Sequence, residues 1–182
     1  MQAIELLLKR TSYNQLVEPA PNGDVLANIL QAGCCVPDHG GLTPWRFIVF
    51  KAQALVDLGE IYAEAAEQDG ADCEKIEKAK NMPLRAPMVI AVIANIDENN
   101  KIPASEQLIA AGCAAHSIQM AAVAQGFQGI WRTGVFAYHP HIKQQLKLTA
   151  QEQIVGYIYL GTAKGDVPAK SRKNYQNFVQ YW

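Results

Sequence analysis

From Gln107 to Trp131 the chain runs for 25 residues without a charged side chain, and Arg132 ends the run. That length suffices for a helix to cross a bilayer. The content argues against it. Gln107, His116, Ser117, Gln119, Gln125 and Gln128 interrupt the stretch, and its alanines contribute little to insertion. The alternative is a helix buried on most sides inside a globular domain. Such a helix is central, and the rest of the chain packs around it. Ala110, Ala111, Gly112, Ala114, Ala115, Ala121, Ala122 and Ala124 permit close approach by several neighbours, a symmetry mate among them.

The remaining composition agrees with one domain over residues 1–182. Apolar residues make up 49 % and charged residues 18 %, ample material for a core. With 16 Lys and Arg against 17 Asp and Glu, no electrostatic footprint for nucleic acid is present. The end of the chain is locally basic, at Lys164, Lys170, Arg172 and Lys173, but too sparse for a polybasic anchor, and it reads as a solvated tail. Its aromatics, Tyr175, Phe178, Tyr181 and Trp182, are out of place in solvent and predict packing on something, in a dimer the other subunit. Cys34, Cys35, Cys73 and Cys113 form no CxxC, which fits reduced thiols and a cytoplasmic protein. The opening Met1-Gln2-Ala3-Ile4-Glu5 lacks the basic region of a signal peptide.

The spacing of apolar residues predicts a short helix at Ile4–Leu8 and a second from Asn22 or Asp24 to Gly33. Buried strands are predicted at Trp45–Phe50, Met88–Ala94 and Ile154–Leu160, with a further extended segment at Gly129–Thr133. Helices are predicted at Leu55–Gln68, from Asp72 to Asn81, from Ser105 to Gln125 and from His139 to Leu146. Helices outnumber strands and the strands are scattered, so the fold class is α+β, layered on a small mixed sheet. Neither a Rossmann fingerprint nor a P-loop follows the first long strand.

Candidate chemistry is richer in binding groups than in acids and bases. Arg10-Thr11-Ser12 offers a guanidinium fork and two hydroxyls just past a helix, suited to a phosphate or a polar ring edge. A helix-terminal cation with loop hydroxyls has the same composition. Trp131-Arg132-Thr133 fits one side of an aromatic cofactor, with the Arg in reach of its phosphate, and equally a core Trp beside a surface Arg. Cys34-Cys35 with His39 makes a poor metal set, because adjacent cysteines rarely ligate one ion. His39 lies in a glycine-flanked loop that backbone or ligand can approach, and His139-Pro140-His141 caps or flanks a helix. No GxSxG occurs and no paired acids stand out, so no catalytic side chain and no metal are assigned. This asymmetry favours chemistry carried by a bound cofactor.

The order and spacing of these motifs resemble the nitroreductase family, in particular its small members. The resemblance rests on Ile4–Leu8 with Arg10 and Ser12, Glu18–Pro21, Asn28–Leu30, Ala32-Gly33 and Pro37–His39. It continues through Pro44-Trp45, Arg85–Pro87, Ala111–Ala114, Gln119–Phe127, Gly129–Arg132, Ile154–Gly156 and Tyr159–Thr162. It implies a three-layer α/β/α fold with a mainly antiparallel sheet and a C-terminal arm packed on a partner subunit. It implies a homodimer with FMN at the subunit interface, reduced by NAD(P)H and reoxidised by a nitroaromatic, quinone or related acceptor in a ping-pong cycle. Carried over by position, Arg10, Thr11, Ser12, Trp131, Arg132 and Thr133 bind FMN in one chain, and Cys35 and His39 reach it from the other. Similar proteins carry an Arg where this chain has Cys35. The segment Ala121, Ala122, Val123, Ala124, Gln125 and Gly126 corresponds to one associated with NAD(P)H. The same fold also accommodates a flavin-binding or sensing module without turnover, and dehalogenating or flavin-fragmenting enzymes.

Overall fold

The structure is a computed structural model and describes residues 2–182. Helix α1 (Ala3–Lys9) ends where Arg10 turns extended, and the two-residue strand β1 (Leu16–Val17) follows. Helix α2 (Gly23–Gly33) leads to strand β2 (Trp45–Lys51), helix α3 (Gln53–Gln68) and helix α4 (Cys73–Lys80). Asp72 caps α4 by accepting the Lys75 N–H at 2.9 Å, a bond typically worth about 1 kcal/mol. Strand β3 (Met88–Asn95), helix α5 (Ala104–Ala124), strand β4 (Gln128–Arg132), helix α6 (Pro140–Gln145) and strand β5 (Glu152–Ala163) complete the fold.

β5 is the hub of a five-stranded sheet. It pairs with β3, β4 and β1, β3 pairs with β2, and every ladder is antiparallel. The parallel component of the predicted mixed sheet is not among these pairings, for a topological reason. The α5 crossover does join two strands of the same direction, β3 and β4, but β5 lies between them. The sheet is covered on both faces. Tyr62 and Leu58 of α3 and Ile142 of α6 pack with Val89, Ala91, Tyr157 and Tyr159 on one face. Ile29 of α2 and Ala115, Ile118 and Ala122 of α5 pack with Ile90, Val92, Ile158 and Leu160 on the other. This is the three-layer arrangement.

β3 is buried from Met88 to Ala94, as its unbroken apolar run predicts. β2 is less buried than predicted: only Phe50 is fully covered, because β2 is an edge strand whose sole neighbour is β3. Its Arg46 is paired with the buried Glu152 at the start of β5, with Nη2 donating to Oε2 at 3.1 Å. Helix α5 is long and apolar enough to cross a membrane by length and composition, yet 50 % of its apolar window is buried in the domain. It is therefore not enclosed on most sides. Leu108, Ile109 and His116 are exposed along one stripe, next to Ile4, Leu7 and Leu8 of α1.

Candidate functional site

The site begins where α1 stops. Arg10 takes extended geometry, and its Nη1 lies 3.5 Å from Ser12 Oγ. Three residues on, the Tyr13 N–H donates to Gly129 O of β4 at 3.1 Å. The same carbonyl accepts from the buried Gln119 Nε2 of α5 at 2.9 Å. One backbone oxygen therefore fastens the Arg10–Ser12 segment, the central helix and the start of β4 together. The two motifs at residues 10–12 and 131–133, remote in sequence, lie on adjoining elements.

Beside this junction is a cavity of 290 Å³. Lys9, Arg10 and Thr11 form one side, Val123 and Gln128 another, and Pro168, Ala169 and Arg172 close it. Arg172 Nη1 donates to Arg10 O at 3.0 Å. The basic tail is thus not simply solvated: at Arg172 it folds back over the end of α1. Nothing in the sequence marks Arg172 among its neighbouring lysines, because its partner is a backbone carbonyl 162 residues away. Thr11 Oγ1 is buried and has no hydrogen-bond partner. A buried hydroxyl without a partner costs about 1–3 kcal/mol, so it is a group awaiting an acceptor or donor.

The β4 residues divide between the two faces of the sheet. Trp131 packs with the α2–α5 core, while Arg132 extends over the Tyr159 ring on the α3 face, 6.0 Å from its centroid. Burial pushes the Tyr159 phenol up, and the charges of Arg132 and Arg85 oppose it. Arg132 does not line the Arg10 cavity. The cation there that sequence does not reveal is Arg172. Thr133 follows β4 and is half-buried.

Cys35 and His39 lie elsewhere in the same chain. His39 Nδ1 is 2.6 Å from Glu106 Oε2 in the first turn of α5, and Cys35 Sγ is 3.7 Å from Gln31 Nε2. Val123 stands 17 residues further along α5 than Glu106, about 25 Å at the helical rise. The cavity and the His39 loop are therefore at opposite ends of one helix. Next to the His39 loop, Val36 and Pro37 join Leu7, Ile109, Gly112 and Cys113 around an open apolar depression.

The segment Ala121–Gly126 is the closing turn of α5. The carbonyls of Ala121, Ala122 and Val123 accept from the N–H groups of Gln125, Gly126 and Phe127, and Gly126 turns the chain at φ 90. Its backbone acceptors are spent on this cap, and only Val123 lines the cavity. Among the described residues no group of three or more His, Cys, Asp or Glu is arranged to hold a metal ion.

Residues 7–162 match the model of the nitroreductase family. The chain is 45 % identical over 162 residues to "Putative NAD(P)H nitroreductase YdjA" of Escherichia coli (strain K12), covering 89 % of this chain and 88 % of that protein. Among solved structures, the "Nitroreductase-like Family Protein from Bacillus cereus" superposes with a TM-score of 0.81 at 22 % identity, over 100 % of this chain and 96 % of that one. A nitroreductase of Desulfovibrio desulfuricans, described as in complex with FMN, superposes with a TM-score of 0.78 at 19 % identity, over 98 % of this chain and 95 % of that one. With the motifs in the family's order across most of its length and the family's layered fold around them, the chain belongs to the nitroreductase family.

Proposed function

We propose that the protein is an FMN-dependent oxidoreductase that takes hydride from NAD(P)H and delivers it to a nitroaromatic, quinone or related acceptor, acting as a homodimer. The observation that carries this reading is the Arg10 cavity: three cations, Lys9, Arg10 and Arg172, around a space that also holds the unpartnered Thr11 hydroxyl. That donor set fits a phosphate monoester, which asks for charge-assisted hydrogen bonds and a guanidinium fork. The relatives named for NAD(P)H and for FMN support the same assignment.

When bound, the flavin supplies a two-electron carrier that donor and acceptor use in turn at one site. The chain's own residues bind and orient. Arg10, Arg172 and Thr11 hold the phosphate end, while Trp131, Arg132 and Thr133 present backbone and positive charge along β4. No side chain is needed as an acid or base. Ala121–Gly126 acts in this reading through Val123, as cavity wall, and its capped backbone offers a nicotinamide little.

A homodimer completes the site. A two-fold mate laid antiparallel on the exposed α1–α5 stripe carries its Cys35 and His39 toward the far end of α5, where the cavity is. The apolar residues Ile4, Leu7, Leu8 and Ile109 are exposed there as such an interface requires. The C-terminal arm, with Phe178, Tyr181 and Trp182 exposed, then packs on the mate.

The deciding experiment is the visible spectrum of the purified protein, with FMN and riboflavin titrations and anaerobic bleaching by NADH and by NADPH. A colourless protein that takes up no FMN sinks the reading. Cys35, a thiol where similar proteins carry a cation, favours a second reading, a flavin-binding module without turnover. Steady-state NAD(P)H oxidation with a quinone or nitroaromatic separates the two.

A further inference from the structure

The chain leaving β4 is held down by a latch that the proposed chemistry does not use. Immediately after Thr133, Gly134 turns the backbone at φ 68, and residues 135–141 dock on α3. Phe136 stacks on Tyr62 with ring centroids 4.4 Å apart, and Tyr157 Oη donates to Phe136 O at 3.3 Å. His139 and His141 then flank the start of α6, with side chains 11 % and 12 % exposed. His139 Nε2 faces Asp69 Oδ1 at 3.3 Å, and His141 Nε2 faces Glu64 Oε2 at 2.7 Å.

The two histidines differ at their other nitrogen. His141 Nδ1 lies 3.0 Å from the side-chain amide of Gln68, which can present either its nitrogen or, turned over, its oxygen. A proton on His141 is therefore accommodated. His139 Nδ1 accepts the backbone N–H of His141 at 3.2 Å and so caps α6. A backbone N–H cannot turn over. A proton on His139 Nδ1 sets N–H against N–H and removes the cap. The charged groups around the latch are Asp69 and Glu64 of α3, Lys75 and Lys78 of α4, which share a cavity with Asp69, and Lys143 of α6. Asp69 favours the proton, but it is 61 % exposed and solvent-screened, whereas the cap is lost outright.

We infer that His139 is a proton-sensitive positioning residue for the flavin wall. Neutral, it pins residues 134–141 to α3 and fixes where Trp131, Arg132 and Thr133 stand. Protonated, it frees the start of α6, and the wall loosens. The inference rests on the FMN reading for its consequence but not for the latch itself.

The test compares the full-length native protein with His139→Asn and His141→Gln. Asn keeps an N-cap acceptor and never gains a proton. FMN dissociation constants are measured from about pH 8 to about pH 5, the window in which histidine changes charge. The FMN phosphate titrates there too, so the readout is the ratio of native to variant constants, in which that contribution cancels. The ratio for His139→Asn should rise about tenfold toward acid, the effect of one unit of proton linkage. The ratio for His141→Gln should rise less. Hydrogen exchange at the Lys143 and Leu146 amides, without FMN, should show acid-induced opening of α6 in the native protein and not in His139→Asn. A pH profile shared by native and His139→Asn overturns the inference, as does loss of acid sensitivity in His141→Gln alone. Failure of all three proteins to bind FMN at neutral pH would instead count against the proposed function, and the exchange measurement would still decide the latch.

Discussion

The indole nitrogen of Trp131 occupies the space that a side chain at position 156 would need: a methyl group built on Gly156 of β5 would overlap Trp131 Nε1 and crowd Arg132 O. Gly156→Ala should therefore displace the Trp131 wall. Overpacking of this kind costs about 1–3 kcal/mol. A lowered denaturation midpoint together with weaker FMN binding is the expected pair of results, and unchanged FMN affinity would separate Trp131 from the cofactor.

Arg10→Ala should lose most bound FMN without unfolding the protein, since α1 buries no residue completely. Arg172→Ala should weaken FMN by about 1.5–3 kcal/mol, the worth of a charged hydrogen bond, while riboflavin binding changes little because it lacks the phosphate. Parallel titrations with the two flavins check this. Equal loss for both would place Arg172 away from the phosphate.

Ile109→Asp introduces a charge at the middle of the exposed α1–α5 stripe, on a residue already 65 % exposed in the single chain. Within one chain it should cost little. Sedimentation should show a monomer, and flavin content should fall with it. A flavin-free dimer or a flavin-loaded monomer would break the link between the interface and the site.

Acid should undo the clasp between Arg46 and Glu152. Hydrogen bonding from Arg46 holds the Glu152 carboxyl below its ordinary value, against the opposing effect of burial, and the Thr149 N–H adds to the lowering. A carboxyl lowered in the folded state takes up its proton more readily when unfolded. Its stabilisation is therefore full above the unfolded value, about pH 4, and is lost as pH falls through the folded one. Glu152→Gln should cost about 2 kcal/mol near pH 7 and progressively less in stronger acid. Urea midpoints at the two extremes give the answer, and a constant difference would contradict it.

Where local pattern decides, the sequence is easily read. Met88–Ala94 is an unbroken β-branched and apolar run and is buried on both faces, and Asp72 caps the helix it precedes. Trp45–Lys51 has much the same composition but lies at an edge, so its side chains are only half covered, and composition does not report a strand's neighbours. β1 is too short to carry a period, and it exists only because Leu16 and Val17 meet Ala163 and Thr162. The site divides in the same way. Residues 10–12 and 131–133 are recognisable as motifs, whereas Arg172 is one cation among several until the fold returns it to Arg10.

That return has a consequence for how the protein matures. The cavity is closed by residues 10 and 172, and its two motifs meet through Tyr13 and Gly129, so almost every contact that shapes it spans more than a hundred residues. Contacts so distant in sequence form late, after the sheet has paid the entropy of bringing them together. On a ribosome the sheet and α5 can assemble while the cavity still lacks its last cation. Cofactor capture then becomes an event of the finished chain, and a protein truncated shortly before Arg172 should fold yet remain pale.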